Sequence, residues 1–283
     1  MTCIFDQETY TMKVKFYGTR GSMPVCDKGF LEFGGNTTCI KITRDNERVS
    51  ILDAGTGIRN LGKELYKEGY DQADLLIGFS HFHWDHIQGF PFFGPAYDPN
   101  MVINILAMGK EREIENLEDI FKGQMRPEYF PVPLESMGAS FNFLQFARNE
   151  WSVNDASARV IKQNHPGGSF GYRLEGDGKC LVICTDIEHG DAVLPEIVEF
   201  CKGADLLVHE GQYTPEELSQ HPGWGHSSYL QAIEVADRAG VKQLAITHHD
   251  PDHDDAFLRK VEKECQSRFQ NCFLARENME IVF

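Results

Sequence analysis

The segment Ser80-His81-Phe82-His83-Trp84-Asp85-His86 puts three histidines and an aspartate within six residues. Neutral imidazole and carboxylate are the donors that borderline divalent ions such as zinc accept. Side chains alternate along an extended segment, so His81 and His83 can face one ion. Asp85 and His86 fall beyond the turn and can face a second. The chemistry on offer is that of a divalent metal centre, in which a bound ion can lower the pKa of water and neutralise negative charge. A solvated polar loop is the competing reading, and four donors packed so closely argue against it.

The motif follows directly on a short apolar run, residues 75–79, which reads as a buried strand. Strand patterns at 14–17, 38–42 and 49–52 precede it, with a helical pattern at 58–66. A strand at 102–106 and a helix at 111–121 follow. Residues 123–137 are the least regular, with Pro127, Pro131 and Pro133. Further strands read at 158–163, 170–174, 181–185, 206–208, 244–247 and 280–283, and helices at 192–201, 226–239 and 257–269. Strands and helices mixed at this density predict a layered α/β domain, and no boundary divides residues 1–283.

The chain has 283 residues, with 27 Lys+Arg against 43 Asp+Glu and a formal net charge of −16. Its 41% hydrophobic content is that of a globular protein and excludes a disordered chain. The acidic balance weighs against nucleic acid as a partner, because a polynucleotide surface needs a basic stripe to displace counterions. No apolar run approaches the roughly 18–20 residues of a membrane span. Residues 1–13 lack the basic and apolar regions of a signal peptide. The eight cysteines form no Cys-x-x-Cys pair, which predicts reduced, mostly buried thiols and a cytoplasmic location.

A His-x-His-x-Asp-His motif after a strand resembles the metallo-β-lactamase superfamily. The resemblance extends over nearly the whole chain, because the other expected ligands follow in order. His165 in Asn164-His165-Pro166-Gly167, Asp186 in Cys184-Thr185-Asp186 and His248 in Thr247-His248-His249 match them. The resemblance implies an αβ/βα four-layer sandwich of two packed mixed β-sheets flanked by helices. It also implies two divalent ions, zinc first, with manganese or iron as alternatives. His81, His83 and His165 would hold one ion, and Asp85, His86 and His248 the other. Asp186 and a hydroxide would bridge them. His249 would stand behind the ligands or face solvent.

His209-Glu210-Gly211-Gln212-Tyr213 and Gly225-His226-Ser227-Ser228 look like the His-Glu-Ala-Thr and Gly-His-Ser-Thr motifs of the ribonuclease Z-like phosphodiesterases. Carried over, His226 is the catalytic histidine, Glu210 orients it, and Asp85 belongs to the catalytic set. A carboxylate–imidazole pair can hold an imidazolium against a phosphate oxygen. The competing reading makes Gly225 or Ser228 a helix cap and leaves His226 exposed. The segments Gly18–Ser22, Gly34–Thr38 and Leu52–Gly57 resemble loops that ring the metals in this superfamily. They make Asp53, which would hold a ligand histidine in one tautomer, and Asn36 candidates. Trp84 and Trp224 are candidates for stacking on a base, while Phe90, Phe92 and Phe93 suit a core better.

The basic, Gly/Pro-rich arm with which ribonuclease Z grips tRNA has no counterpart here. The expected activity is hydrolysis of a small phosphodiester, a 3′,5′-cyclic nucleotide, to a monophosphate. Class II cyclic-nucleotide phosphodiesterases and anti-Pycsar phosphodiesterases resemble this pattern. The alternatives are tRNA 3′ processing and a non-phosphate hydrolase such as a lactonase. The resemblance also implies a homodimer, and the lack of a long apolar run predicts no membrane partner.

Overall fold

Alternating burial along short strands builds the scaffold of the site. In the computed structural model, which describes residues 11–44, 48–70, 74–153 and 156–283, fourteen strands form two seven-stranded sheets. The first sheet contains β1 (Met12–Gly18), β2 (Cys39–Arg44), β3 (Val49–Leu52), β4 (Asp74–Gly78), β5 (Val102–Met108), β6 (Ser140–Phe146) and β14 (Glu280–Val282). Its order is β14-β1-β2-β3-β4-β5-β6. Pairings are antiparallel from β14 to β3 and parallel from β3 to β6.

The second sheet contains β7 (Glu150–Val153), β8 (Ala156–Gln163), β9 (Ser169–Gly176), β10 (Lys179–Cys184), β11 (Leu206–Glu210), β12 (Leu244–Thr247) and β13 (Cys272–Leu274). Its order is β13-β12-β11-β10-β9-β8-β7, parallel from β13 to β10 and antiparallel beyond. Both sheets are thus mixed, and each carries a parallel half.

Strand periodicity assigns the layers. On β10, Leu181 and Ile183 join Val14, Phe16, Leu52 and Val208 in the core between the sheets. Their neighbours Cys180, Val182 and Cys184 point the other way. There they meet α4 (Pro195–Cys201), α6 (Tyr229–Ala239) and α7 (Asp255–Arg268). Across the molecule, α1 (Ile58–Lys67) buries Ile58, Leu61 and Leu65, and α3 (Leu117–Gln124) buries Leu117 and Phe121, against the outer face of the first sheet. The result is the expected four-layer order of helix, sheet, sheet and helix.

Capping chemistry fixes where the helices begin and corrects several expected bounds. The side chain of Asn116 accepts the Glu118 amide at 3.1 Å, so α3 starts at Leu117 and residues 111–116 are loop rather than helix. Ser228 caps α6 in a capping box with Gln231. His226 and Ser227 therefore stay outside a helix that the sequence pattern extends back to residue 226. Pro195 opens α4, three residues later than the pattern suggests. β6, β7 and β13 lie where no strand is expected from the pattern. The two remaining helices, α2 (Trp84–Ile87) and α5 (Pro215–Leu218), are one turn each.

The described cysteines are all free, and Cys3 lies outside the described residues. No helix among the described residues is long and apolar enough to cross a membrane.

Candidate metal centre

Parallel strands deliver their following loops to one end of a sheet, and both sheets place theirs at the same end. β4 delivers Ser80 to His86, β10 delivers Asp186, β11 ends in Glu210, and β12 delivers His248. His165 comes from the turn between β8 and β9. Asp53 and His248 directly follow their strands and Asp186 comes one residue later, with φ of 63°, 60° and 59°. A left-handed backbone at non-glycine residues costs about 1–3 kcal/mol each and persists where its surroundings hold it. Here it turns each side chain back over the end of the sheet.

The structure brings all seven candidate ligands together. The donor atoms of His81, His83 and His165 form one group and those of Asp85, His86, Asp186 and His248 another, each within 4.8 Å. Asp186 lies between them. Its Oδ1 is 3.8 Å from His81 Nε2 and 3.3 Å from His248 Nε2, and its Oδ2 is 3.2 Å from His86 Nε2. Asp85 Oδ2 sits 3.2 Å from both His86 Nε2 and His248 Nε2.

Outer partners set the tautomers. His86 Nδ1 donates to Asp53 Oδ2 at 2.8 Å, His165 Nδ1 to the Gly225 carbonyl at 2.8 Å, and His248 Nδ1 to Gln212 Oε1 at 3.1 Å. Ser80 Oγ donates to Asp53 Oδ2 at 2.8 Å and accepts from His81 Nδ1 at 3.1 Å. In each ring this leaves Nε2 as the inward atom, the one that ligates a metal once it carries no proton.

The inward atoms fit an ion better than they fit one another. His81 Nε2, His86 Nε2 and Asp186 Oδ2 are buried without a hydrogen-bond partner. Each such group left unpaired costs about 1–3 kcal/mol. Burial pushes His81 and His165 below the usual imidazole range, which favours the neutral, ligating form. Burial works against charge on His86 too, yet Asp186, Asp85 and Asp53 outweigh it and hold that imidazole well above its usual range. Three carboxylates around one point call for positive charge, which divalent ions supply.

His226 stands beside this group. It is buried, its ring lies 5.2 Å from that of His248 and 5.3 Å from that of His165. Its Nδ1 is 3.2 Å from Glu210 Oε1. Glu210 is wholly buried and its Oε1 also accepts the Ile187 amide at 2.7 Å. Burial would lower the His226 pKa, but the Glu210 charge and hydrogen bond outweigh it and raise it to about 9. Ser228 does cap the following helix, and His226 is nonetheless inside the site.

Several other expectations separate. Asn36 does not join the cluster: its Nδ2 donates to Glu277 at 3.0 Å and its carbonyl accepts from Thr19 and Arg20, so it ties two loops together. His249 is buried rather than solvent-facing, with Nε2 bound to the Ala275 carbonyl at 2.9 Å. Trp84 and Trp224 are both 61% exposed, and Trp224 meets His221 edge-on, which stacks on Tyr213. Phe90 and Phe93 are core, and Phe92 is exposed.

The sequence reading passed over Ser80, Gln212 and Glu188. Glu188 accepts the amides of Gly223 and Gly225 at 2.8 Å each and so fixes the loop that carries His226. The polar types of Ser80 and Gln212 inside quoted motifs are the only signal that could have found them. A cleft of about 780 Å³ opens beside His81, His83 and His165.

Two helix-flanked mixed sheets with this cluster at the ends of their strands define a metal-dependent hydrolase. Residues 48–249 match the family model described as a β-lactamase superfamily domain, and the chain belongs to that superfamily. The ribonuclease Z of Lachnoclostridium phytofermentans is 25% identical, over 96% of this chain and 97% of its own. The structure of a new diphosphatase from the PhnP family superposes with a TM-score of 0.70 at 16% identity, covering 96% of this chain and 98% of that one. The short form of human tRNase Z gives 0.65 at 19% identity, covering 95% and 98%. At these identities the two structures speak for the fold.

Proposed function

We propose that this chain hydrolyses a small phosphodiester, a 3′,5′-cyclic nucleotide, to a nucleoside monophosphate. The observation that carries the reading is the buried Glu210–His226 pair set against the candidate ligands. His81, His83 and His165 would hold one divalent ion, and Asp85, His86 and His248 a second, with Asp186 shared between them. Zinc suits these donors best. Bound there, the ions would activate water and neutralise charge on the phosphoryl oxygens.

The chain's own residues supply the rest. With Nδ1 committed to Glu210, a protonated His226 carries its second proton on Nε2, and the Glu210 charge favours that form. Nε2–H can bond a phosphate oxygen or protonate the departing alkoxide. The amides of Ile187 and Gln212 fix Glu210, so the imidazolium is oriented before substrate arrives. The cleft has the volume range of small-ligand sites. A net charge of −16 disfavours a long polyanion, while one phosphodiester feels mainly the local cations.

A second reading, tRNA 3′ processing, is favoured by relatives that carry the name ribonuclease Z. The test is a panel presented to the metal-loaded protein: cyclic nucleotides, a precursor tRNA and a lactone, with His226→Ala as control. Turnover of cyclic nucleotides that the variant loses supports the proposal. Cleavage of tRNA alone, weakening steeply with salt, would replace it with the second reading. Lactone turnover indifferent to His226 would remove phosphate chemistry altogether.

A further inference from the structure

Arg112 stands in the wall of the cleft that also exposes His81 and His83. Its guanidinium lies 4.2 Å from the Phe170 ring centroid and 5.7 Å from that of Phe82. Nε donates to the Met108 carbonyl at 3.2 Å and Nη2 to the Phe79 carbonyl at 2.9 Å. These partners are neutral, and among the described residues no carboxylate is in ion-pair contact with it. Backbone and aromatic contacts therefore hold the guanidinium in place, Nη1 has no hydrogen bond to a described residue, and the side chain lines the cleft.

A guanidinium only donates, so whatever completes it must accept. A second anion and the oxo edge of a heterocycle are the two chemistries that qualify. Glu111, Glu113 and Glu196 line the same cleft and repel a second anion. Phe82, Ile114 and Leu194 give it apolar walls suited to a flat ring.

We propose that Arg112 donates to the oxo edge of the substrate's nucleobase and makes the enzyme prefer 6-oxopurines over adenine. The inference rests on the cyclic-nucleotide reading above and adds the base to it. Guanine and hypoxanthine offer the O6 acceptor to Nη1. Adenine puts an amino group at the same place, so donor faces donor. One hydrogen bond to O6, lost when an amino group takes its place, discriminates about fivefold or more.

The probe pair is 3′,5′-cyclic IMP and 3′,5′-cyclic AMP, which differ at the 6-position. The quantity measured is the ratio of their kcat/KM values in one preparation, so a misfolded fraction cancels. The wild type should favour cyclic IMP by about fivefold or more. Arg112→Met should bring the ratio to about one, and Arg112→Lys should keep part of it. A wild-type ratio of one or below, or a ratio untouched by Arg112→Met, overturns the assignment. If neither cyclic nucleotide turns over while bis(p-nitrophenyl) phosphate does, the substrate reading fails by itself. Equilibrium binding of IMP and AMP to metal-loaded wild type and Arg112→Met then decides the matter. A preference for IMP that the variant loses sustains the role of Arg112, and equal binding ends it.

Discussion

Replacing Asp53 by Asn exchanges one oxygen for an NH₂ group at nearly constant volume. Asp53 is wholly buried and takes three hydrogen bonds at 2.8 Å, from the Ser80 amide, Ser80 Oγ and His86 Nδ1. In the variant, the new NH₂ faces either the Ser80 amide or His86 Nδ1, donor against donor. The first orientation leaves a backbone amide unpaired. The second forces the His86 proton from Nδ1 to Nε2, where it points at Asp85 and Asp186 and occupies the lone pair that would bind an ion. Loss of such an outer partner typically weakens metal binding about 10- to 100-fold, equivalent to about 1.4–2.7 kcal/mol. Titration of the apo-protein with zinc against a chromophoric chelator measures each binding step. One step should weaken by that factor, and the His81, His83 and His165 step should hold. Two steps of wild-type affinity in Asp53→Asn would refute the tautomer argument for His86.

The remaining predictions touch other parts of the site. Glu210→Gln should leave metal content intact and lower kcat by about 10²- to 10³-fold, because His226 loses the charge that keeps its proton; unchanged kcat would remove His226 from the chemistry. Gly225→Ala should weaken metal binding by about tenfold or more in the same chelator titration. Its Cβ would sit 2.2 Å from His165 Nδ1, at a φ of +87° that only glycine adopts freely. His189 gives a stability test away from the ligands. Burial, then His209, lowers its pKa from 6.5 to about 3, so the unfolded chain takes up a proton that the folded chain refuses. Stability should therefore fall as pH drops from about 6.5 toward 3, by up to about 1.4 kcal/mol per unit. His189→Gln should flatten that limb of the thermal midpoint against pH, and an identical slope would count against the assignment.

The candidate donors were legible because each follows a short apolar run or a tight turn, and strand ends are where a parallel sheet exposes polar groups. His81, Asp186 and His248 follow β4, β10 and β12 in that way. The pairing of strands far apart in sequence was not legible, and it is this pairing that sets Asp186 against His86. Helix starts misled for a local reason. His226 and Ser227 satisfy a helical pattern, and only the geometry of the Ser228 cap shows that the helix begins after them. Asn116 does the same for α3, which frees residues 111–114 to form a wall of the cleft. Nothing in composition or spacing marks Arg112, because its environment comes from β5, β9 and the loop after β4. β6 and β7 were missed because they lie at the sheet edges, where a partly exposed strand such as β6 or a wholly exposed one such as β7 carries a weak pattern.

The central claim is that the Glu210–His226 pair and the histidine–aspartate cluster together open a cyclic phosphodiester. Phosphorus NMR of the metal-loaded protein with 3′,5′-cyclic nucleotides follows that bond directly. The account predicts that the diester resonance gives way to a single monoester resonance with wild type. It also predicts that His226→Ala, with its metal content verified, slows the conversion by about 10²- to 10⁴-fold. A diester resonance that persists with fully loaded wild type, or one that His226→Ala consumes at the wild-type rate, would contradict it.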